Sequence, residues 1–430
     1  MNRFKWLYPG MGVKRWLALL AFGVIWVIAG AAVLLNAPVF SILERHLLTL
    51  IQSWDWDSWL FGLFLILFGL LWISVAIRYG IRSLIAAIQP EEVSSLAEHV
   101  YKSRSLQKGP SIVAVGGGTG LATMLRGLKE YSSNITAIVT VADDGGSSGR
   151  IREEMGILPP GDIRNTIIAL ADTEPLMEKL FQYRFSWGSD LEGHSFGNLF
   201  IAAMTDITGD FEESVRKFSK VLAVRGKVLP STLETVKLGA NFTDGSRLLG
   251  ESQIPLAGKK IASVFLDPPR ARALPEALEA IAQADLVVLG PGSLYTSVIP
   301  NLLVEPIVDA LLRTSALRVY VCNVMTQPGE TEGLSAGDHI SALLAHAGNQ
   351  PILDYALVNQ TRISGAQAQK YAQQGSYPVL VDWQVLRYLD LKIRCGDFLD
   401  KSDLVRHDST RLAREIMSLI GVYSKDRSGP

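Results

Sequence analysis

The sequence has little cysteine, little charge and almost no charge imbalance. Among 430 residues there are two cysteines, Cys322 and Cys395, far apart in the chain. They make neither a disulfide framework nor a cysteine metal site, and they suit a reducing compartment. Asp, Glu, Lys and Arg together make up 19%, below the roughly 25% of ordinary soluble domains, and apolar residues make up 48%. That balance excludes a largely disordered chain. The formal net charge is −1, so the basic excess of a general nucleic-acid binder is missing. There is no His-x-x-x-His pair, which disfavours zinc hydrolases.

What is present begins with two long uncharged runs, and they account for the positive mean hydropathy of +0.22. No charged residue lies between Trp16 and Leu43 or between Ser58 and Ile77. Each run supplies the ~20 apolar residues that cross a bilayer as a helix. The first lacks a small-residue cleavage site and is followed at once by the second, so a two-helix hairpin is expected rather than a signal peptide. Arg3, Lys5, Lys14 and Arg15 precede the pair, and Arg78 and Arg82 follow it. The positive-inside rule then puts both flanks in the cytoplasm, with the soluble part on the cytoplasmic side of the cell inner membrane. Residues 1–89 are read as this membrane anchor, with residues 16–77 in the bilayer, and 90–110 as a linker. Residues 90–430 carry 34 basic against 39 acidic side chains.

Residues 111–425 alternate short apolar runs with helical stretches. Strands are expected at 111–115, 135–141, 285–289, 318–324, 355–358 and 378–381, with helices between them. The fold class is therefore α/β, a doubly wound Rossmann-like parallel sheet. Residues 150–265 break the rhythm with helices and a hairpin around Thr243-Asp244-Gly245-Ser246, and are read as an inserted α+β subdomain over the ligand cleft.

Three glycine-rich loops follow predicted strands. Ligands of open α/β sheets bind outside the carboxyl ends of the strands, so all three loops point to one edge. The first, Gly116-Gly117-Gly118-Thr119-Gly120, opens a helix whose amides can hold a phosphate. It is neither the dinucleotide fingerprint nor a Walker A loop. The second carries Asp143 and Asp144, then Gly145, Gly146, Ser147 and Ser148. Two carboxylates there can bind ribose hydroxyls, orient a base or hold a hard metal. The third has Gly290, Gly292 and Ser293, then Tyr295; Asn323 and Asn359 end the next two strands. Further polar candidates are Asp162 and Asn165, and His194 and Asn198. Asp162 reads equally well as a helix N-cap, and His194 as the side chain most suited to titrate.

These motifs resemble those of the CofD/YvcK-like family. The resemblance runs through 115–120, 142–150, 160–165, 193–198, 290–297 and Arg406-His407-Asp408, and covers about 111–420. One branch of that family transfers a 2-phospho-L-lactyl group to a deazaflavin. The other, the gluconeogenesis factors, binds nucleotide sugars such as UDP-GlcNAc and supports cell shape, wall synthesis and carbon metabolism. The loops at 290–297 and 406–408 resemble the second branch. The resemblance implies that Gly116–Gly120 contact phosphates, Asp143 and Asp144 the nucleoside or a metal such as Mg2+, and Arg406 the UDP-sugar. The expected ligand is a UDP-sugar or another nucleotide, with NAD(P) as an alternative, and homo-oligomers are left open. No catalytic base stands out, so a regulator is favoured over a transferase resembling 2-phospho-L-lactate transferase.

Overall fold

A computed structural model of the protein describes residues 14–35, 58–88, 104–172, 175–188, 190–400 and 404–428. The flank before residue 14, the loop 36–57 and the linker residues 89–103 lie outside the described residues. The chain divides into two compact units, Met1–Ser103 and Arg104–Pro430.

The first unit contains the helices Lys14–Leu35 and Ser58–Ile88. Both are long and apolar enough to cross a membrane, by length and composition. They run antiparallel with their backbones in near contact. A Cβ on Gly30 would stand 2.6 Å from the carbonyl oxygen of Gly62, and one on Gly23 would stand 2.8 Å from that of Gly69. Small residues at the contact let two apolar helices approach this closely. At the open end Trp16 stacks on Tyr79, with 5.3 Å between ring centroids.

The second unit is built on a seven-stranded sheet. Its strands are β1 (Ile112–Gly116), β2 (Ile135–Val139), β3 (Lys227–Pro230), β7 (Leu286–Leu289), β8 (Leu317–Val321), β9 (Tyr355–Asn359) and β10 (Lys392–Gly396). In space the order is β3-β2-β1-β7-β8-β9-β10, and every pairing is parallel. β1 and β7 are buried along their whole length, as expected for strands covered on both faces. The helix Gly118–Leu128 lies on one face and buries Leu121, Leu125 and Leu128. A separate antiparallel sheet, ordered β5-β4-β6, is formed by β4 (Lys237–Phe242), β5 (Arg247–Leu249) and β6 (Ile261–Asp267).

Two sequence expectations change. Residues 150–265 are not one insertion, because β3 lies inside that stretch and extends the main sheet beside β2. The expected strand at 378–381 is reduced to an isolated bridge between Met325 and Pro378; proline has no N–H to continue a ladder. The hairpin expected around residues 243–246 is present as β4 and β5, paired Gly239 to Leu249.

The position of β1 decides where a ligand can sit. Ile112 pairs with Ile135 of β2 on one side and with Leu286 of β7 on the other. Chain progress reverses here: β2 and β3 extend one way, and β7 to β10 the other. This is the topological switch point of a doubly wound sheet, where the crevice opens at the carboxyl ends of the strands.

Candidate functional site

The loops after β1 and β7 meet at the switch point. A Cβ on Gly120 would stand 2.7 Å from the Pro291 carbonyl oxygen, and one on Gly117 would stand 2.5 Å from Asp162 Oδ2. Gly118 begins its helix with φ +67, a left-handed conformation that suits glycine. Asp162 sits in the first turn of the helix Gly161–Leu170. It is not that helix's N-cap; its carboxylate instead accepts the Gly118 backbone N–H. Burial, reinforced by the charge of Asp143, lifts the Asp162 carboxyl to about 6.

The loop after β2 opens the helix Gly146–Met155. Asp143 Oδ1 accepts the Gly145 N–H at 3.0 Å, and burial raises its carboxyl above the usual range. Asp144 faces the smaller sheet. Its two oxygens accept the backbone N–H groups of Glu251 (2.9 Å) and Ser252 (2.8 Å), tying the turn after β5 to this loop.

Ser147 and Ser148 join a buried polar network. Ser147 Oγ lies 3.1 Å from His194 Nδ1 and accepts from Asn198 Nδ2 at 3.0 Å. Arg164 donates to Ser195 Oγ, to Asn198 Oδ1 at 2.8 Å and to Asn165 Oδ1 at 2.8 Å. Burial lowers the His194 pKa, aided by the positive charges of Arg150 and Arg184. The motifs at 143–150, 161–165 and 193–198 thus form one connected constellation, with Arg164 as its centre.

The third loop is braced from the next strand's end. Gly292 and Asn323 exchange two hydrogen bonds, Asn323 Nδ2 to Gly292 O at 2.7 Å and Gly292 N to Asn323 Oδ1 at 3.3 Å. Ser293 Oγ donates to Gln327 Oε1 at 2.5 Å. A short π-helical turn, Leu294–Val298, follows and buries Tyr295. Glu330 caps this turn: its carboxylate accepts Thr296 Oγ1 at 3.2 Å and the backbone N–H groups of Tyr295 and Thr296.

Two expected residues lie elsewhere. Asn359 braces Phe398 N and Thr361 O at 3.1 Å each, as a structural turn residue. Arg406 pairs with Asp400 Oδ2 at 3.0 Å and lines a separate cavity of about 380 Å³ with Thr123, Arg126 and Thr410. No residue of the three glycine loops lines that cavity. The cap expected at Asp408 is present, with Arg411 N donating to Asp408 Oδ1 at 2.8 Å.

The sequence reading missed Arg152, Arg164, Glu251 and Glu330 as site residues. Arg152 donates to the Val236 carbonyl from beneath the second loop. A buried arginine at a short spacing from two carboxylates was the available signal for it. Among the described residues, no group of three or more His, Cys, Asp or Glu is arranged to hold a metal ion. The expected Mg2+ therefore gains no support from the geometry, in which both Asp144 oxygens already accept backbone amides.

Residues 112–399 match the family model described as 2-phospho-L-lactate transferase CofD. The gluconeogenesis factor of Bacillus subtilis is 50% identical over 312 residues, 72% of this chain and 98% of that protein. This chain belongs to the CofD/YvcK-like family. A Nostoc sp. protein, provisionally given the same gluconeogenesis-factor name, is 49% identical over 423 residues, 97% of this chain and 92% of its own. The crystal structure of a UPF0052 family member from Bacillus halodurans is 50% identical, with a TM-score of 0.70; it covers 72% of this chain and 99% of that one. The CofD/YvcK-like match thus spans the whole seven-stranded sheet and every glycine loop.

Proposed function

We propose that this protein is a membrane-anchored gluconeogenesis factor that binds a nucleotide sugar of the UDP-GlcNAc type in the switch-point cleft. The observation that carries this reading is the convergence of the loops after β1, β2 and β7 at one edge of the sheet. Such a crevice, bordered by glycine backbones, hydroxyls and carboxylates, suits a polar phosphorylated ligand. The regulator reading is preferred to a 2-phospho-L-lactate transferase-like activity, because the hydroxyl–imidazole pair Ser147–His194 is committed to the Asn198 network. A role in cell shape and wall synthesis follows from the same reading.

The anchor rests on the two apolar helices. Their side chains at Ile25, Leu67 and Leu71 point outward and are exposed, which a bilayer would cover. Membrane fractionation with carbonate extraction tests the anchor: recovery of the chain in the soluble fraction overturns it. Calorimetric titration of the detergent-solubilised chain with UDP-GlcNAc tests the ligand. Absence of binding, or a clear preference for a deazaflavin, overturns the nucleotide-sugar assignment.

A further inference from the structure

The first unit gathers its charge at one end. Arg15 lies in the first turn of the helix Lys14–Leu35, and Arg78 and Arg82 lie in the later turns of Ser58–Ile88. The two helices meet there at Gly80, where a Cβ would stand 3.4 Å from Trp16 Cβ. At 1.5 Å per residue, all three arginines fall within about 3 Å of that level along the helix axes. All three are exposed. Residues 14–35 and 58–88 contain no aspartate or glutamate, so no carboxylate of either helix neutralises them. Glu91 and Glu92 come after the second helix has ended, outside the described residues.

An aromatic stack stands between the charges. Trp16 lies on Tyr79 with 13° between the ring planes, and the Arg15 guanidinium lies over the Trp16 ring, 4.8 Å from its centroid. On the second helix Tyr79 and Arg82 are about 60° apart round the axis, and Arg78 and Arg82 about 40°. One strip of surface therefore runs from Arg15 across Trp16 and Tyr79 to Arg82 and Arg78. One residue further into the hairpin, Leu17 and Ile77 are 45% and 48% exposed. The 22 residues of the first helix measure about 33 Å, close to the roughly 30 Å of a hydrocarbon core. A bilayer that covers Leu17 and Ile77 thus puts its phosphates level with the arginines.

We propose that this strip binds an anionic phospholipid. Arg15 and Arg82 donate to its phosphodiester on either side of the Trp16–Tyr79 stack, Arg78 adds charge, and Leu17 and Ile77 meet the acyl chains. The inference rests on the membrane-anchor reading. Charge selects the occupant: three guanidinium groups without a carboxylate attract an anionic head group and repel the ammonium of a zwitterionic one. The planar guanidinium fork matches phosphate oxygens, and indole and phenol rings suit the level where acyl chain and head group meet.

Native mass spectrometry of the full chain in detergent, with phosphatidylglycerol and phosphatidylcholine added in equal amounts, tests the site. Preferential retention of phosphatidylglycerol is expected, falling about fivefold for each of Arg15→Gln and Arg82→Gln. Equal retention of the two lipids overturns the proposal. The double variant Arg15→Lys, Arg82→Lys keeps the charge and removes the fork. A weaker preference in it supports a site; a preference equal to wild type overturns the site in favour of diffuse attraction. Millimolar inorganic phosphate should leave the lipid in place, and displacement by phosphate alone overturns the lipid assignment. Carbonate extraction separates this proposal from the reading beneath it. If the chain is released into the soluble fraction, the anchor fails and the site falls with it. If the chain stays in the membrane but shows no phosphatidylglycerol preference, only the site fails.

Discussion

Gly120 stands directly under the Pro291 carbonyl, so that a Cβ there would approach the oxygen to 2.7 Å and the Gly292 nitrogen to 3.0 Å. The contact is backbone on both sides, and neither loop can yield by rotating a side chain. The loops after β1 and β7 are therefore fitted to each other through a residue with no side chain.

Gly120→Ala is expected to destabilise the second unit by about 1–3 kcal/mol, the usual range for overpacking. Thermal unfolding of the full chain in detergent checks it. An unchanged melting temperature would show that the two loops separate freely.

Gly118→Val should weaken nucleotide-sugar binding and also cost about 1–2 kcal/mol of stability. Space is not the cause, since the nearest atom to a Cβ is Ser297 Oγ at 3.6 Å. The cause is the left-handed backbone, which a β-branched residue adopts poorly. Gly118→Asn, which tolerates that conformation better, should recover much of the stability.

Asp162 sets a pH dependence. Its carboxyl is raised in the folded state from 3.8 to about 6, so the unfolded chain loses its proton first as pH rises. In that window the folded state binds more protons, and stability falls as pH climbs from about 4 to about 6. Asp162→Asn should flatten this part of the profile while its side-chain oxygen still accepts the Gly118 N–H. Denaturant melts at pH 4.5 and 7 measure the difference; an identical slope in wild type and variant would remove Asp162 from the account.

Asp408→Ala should lower stability by roughly 1 kcal/mol through loss of the helix cap. Arg406→Ala should change it by less than about 0.5 kcal/mol, because its partner Asp400 sits in a half-exposed pair. Chemical denaturation of both variants separates the two.

Topology can be read with Asp55→Cys. An impermeant thiol reagent should label it from outside intact cells; labelling only after permeabilisation would reverse the orientation of the hairpin.

Much of this was legible from residue patterns. β1, β2, β7, β8 and β9 are central strands, and their mostly apolar runs mark them. β10 was not legible: Lys392-Ile393-Arg394-Cys395-Gly396 carries charges because it is an edge strand with solvent on one side. β3 hid among helices because only four residues, Lys227–Pro230, form it. At the site, glycine and aspartate runs announced themselves, whereas Glu251 and Glu330 did not. Their importance comes from two turns, nearly eighty residues apart, meeting at Pro255 and Gly329, and no local pattern encodes that meeting.

The pairing of β1 with β7 also sets a timetable. On the ribosome, Ile112 emerges roughly 170 residues before Leu286, a delay of about 10–35 s at typical elongation rates. During that interval the apolar helices have already been made, and β1 has only β2 beside it. One edge of the nascent sheet stays open, the kind of edge that pairs with the wrong neighbour. The cleft cannot exist until that edge closes, so a newly made chain can hold no ligand there before Leu286–Leu289 has been synthesised.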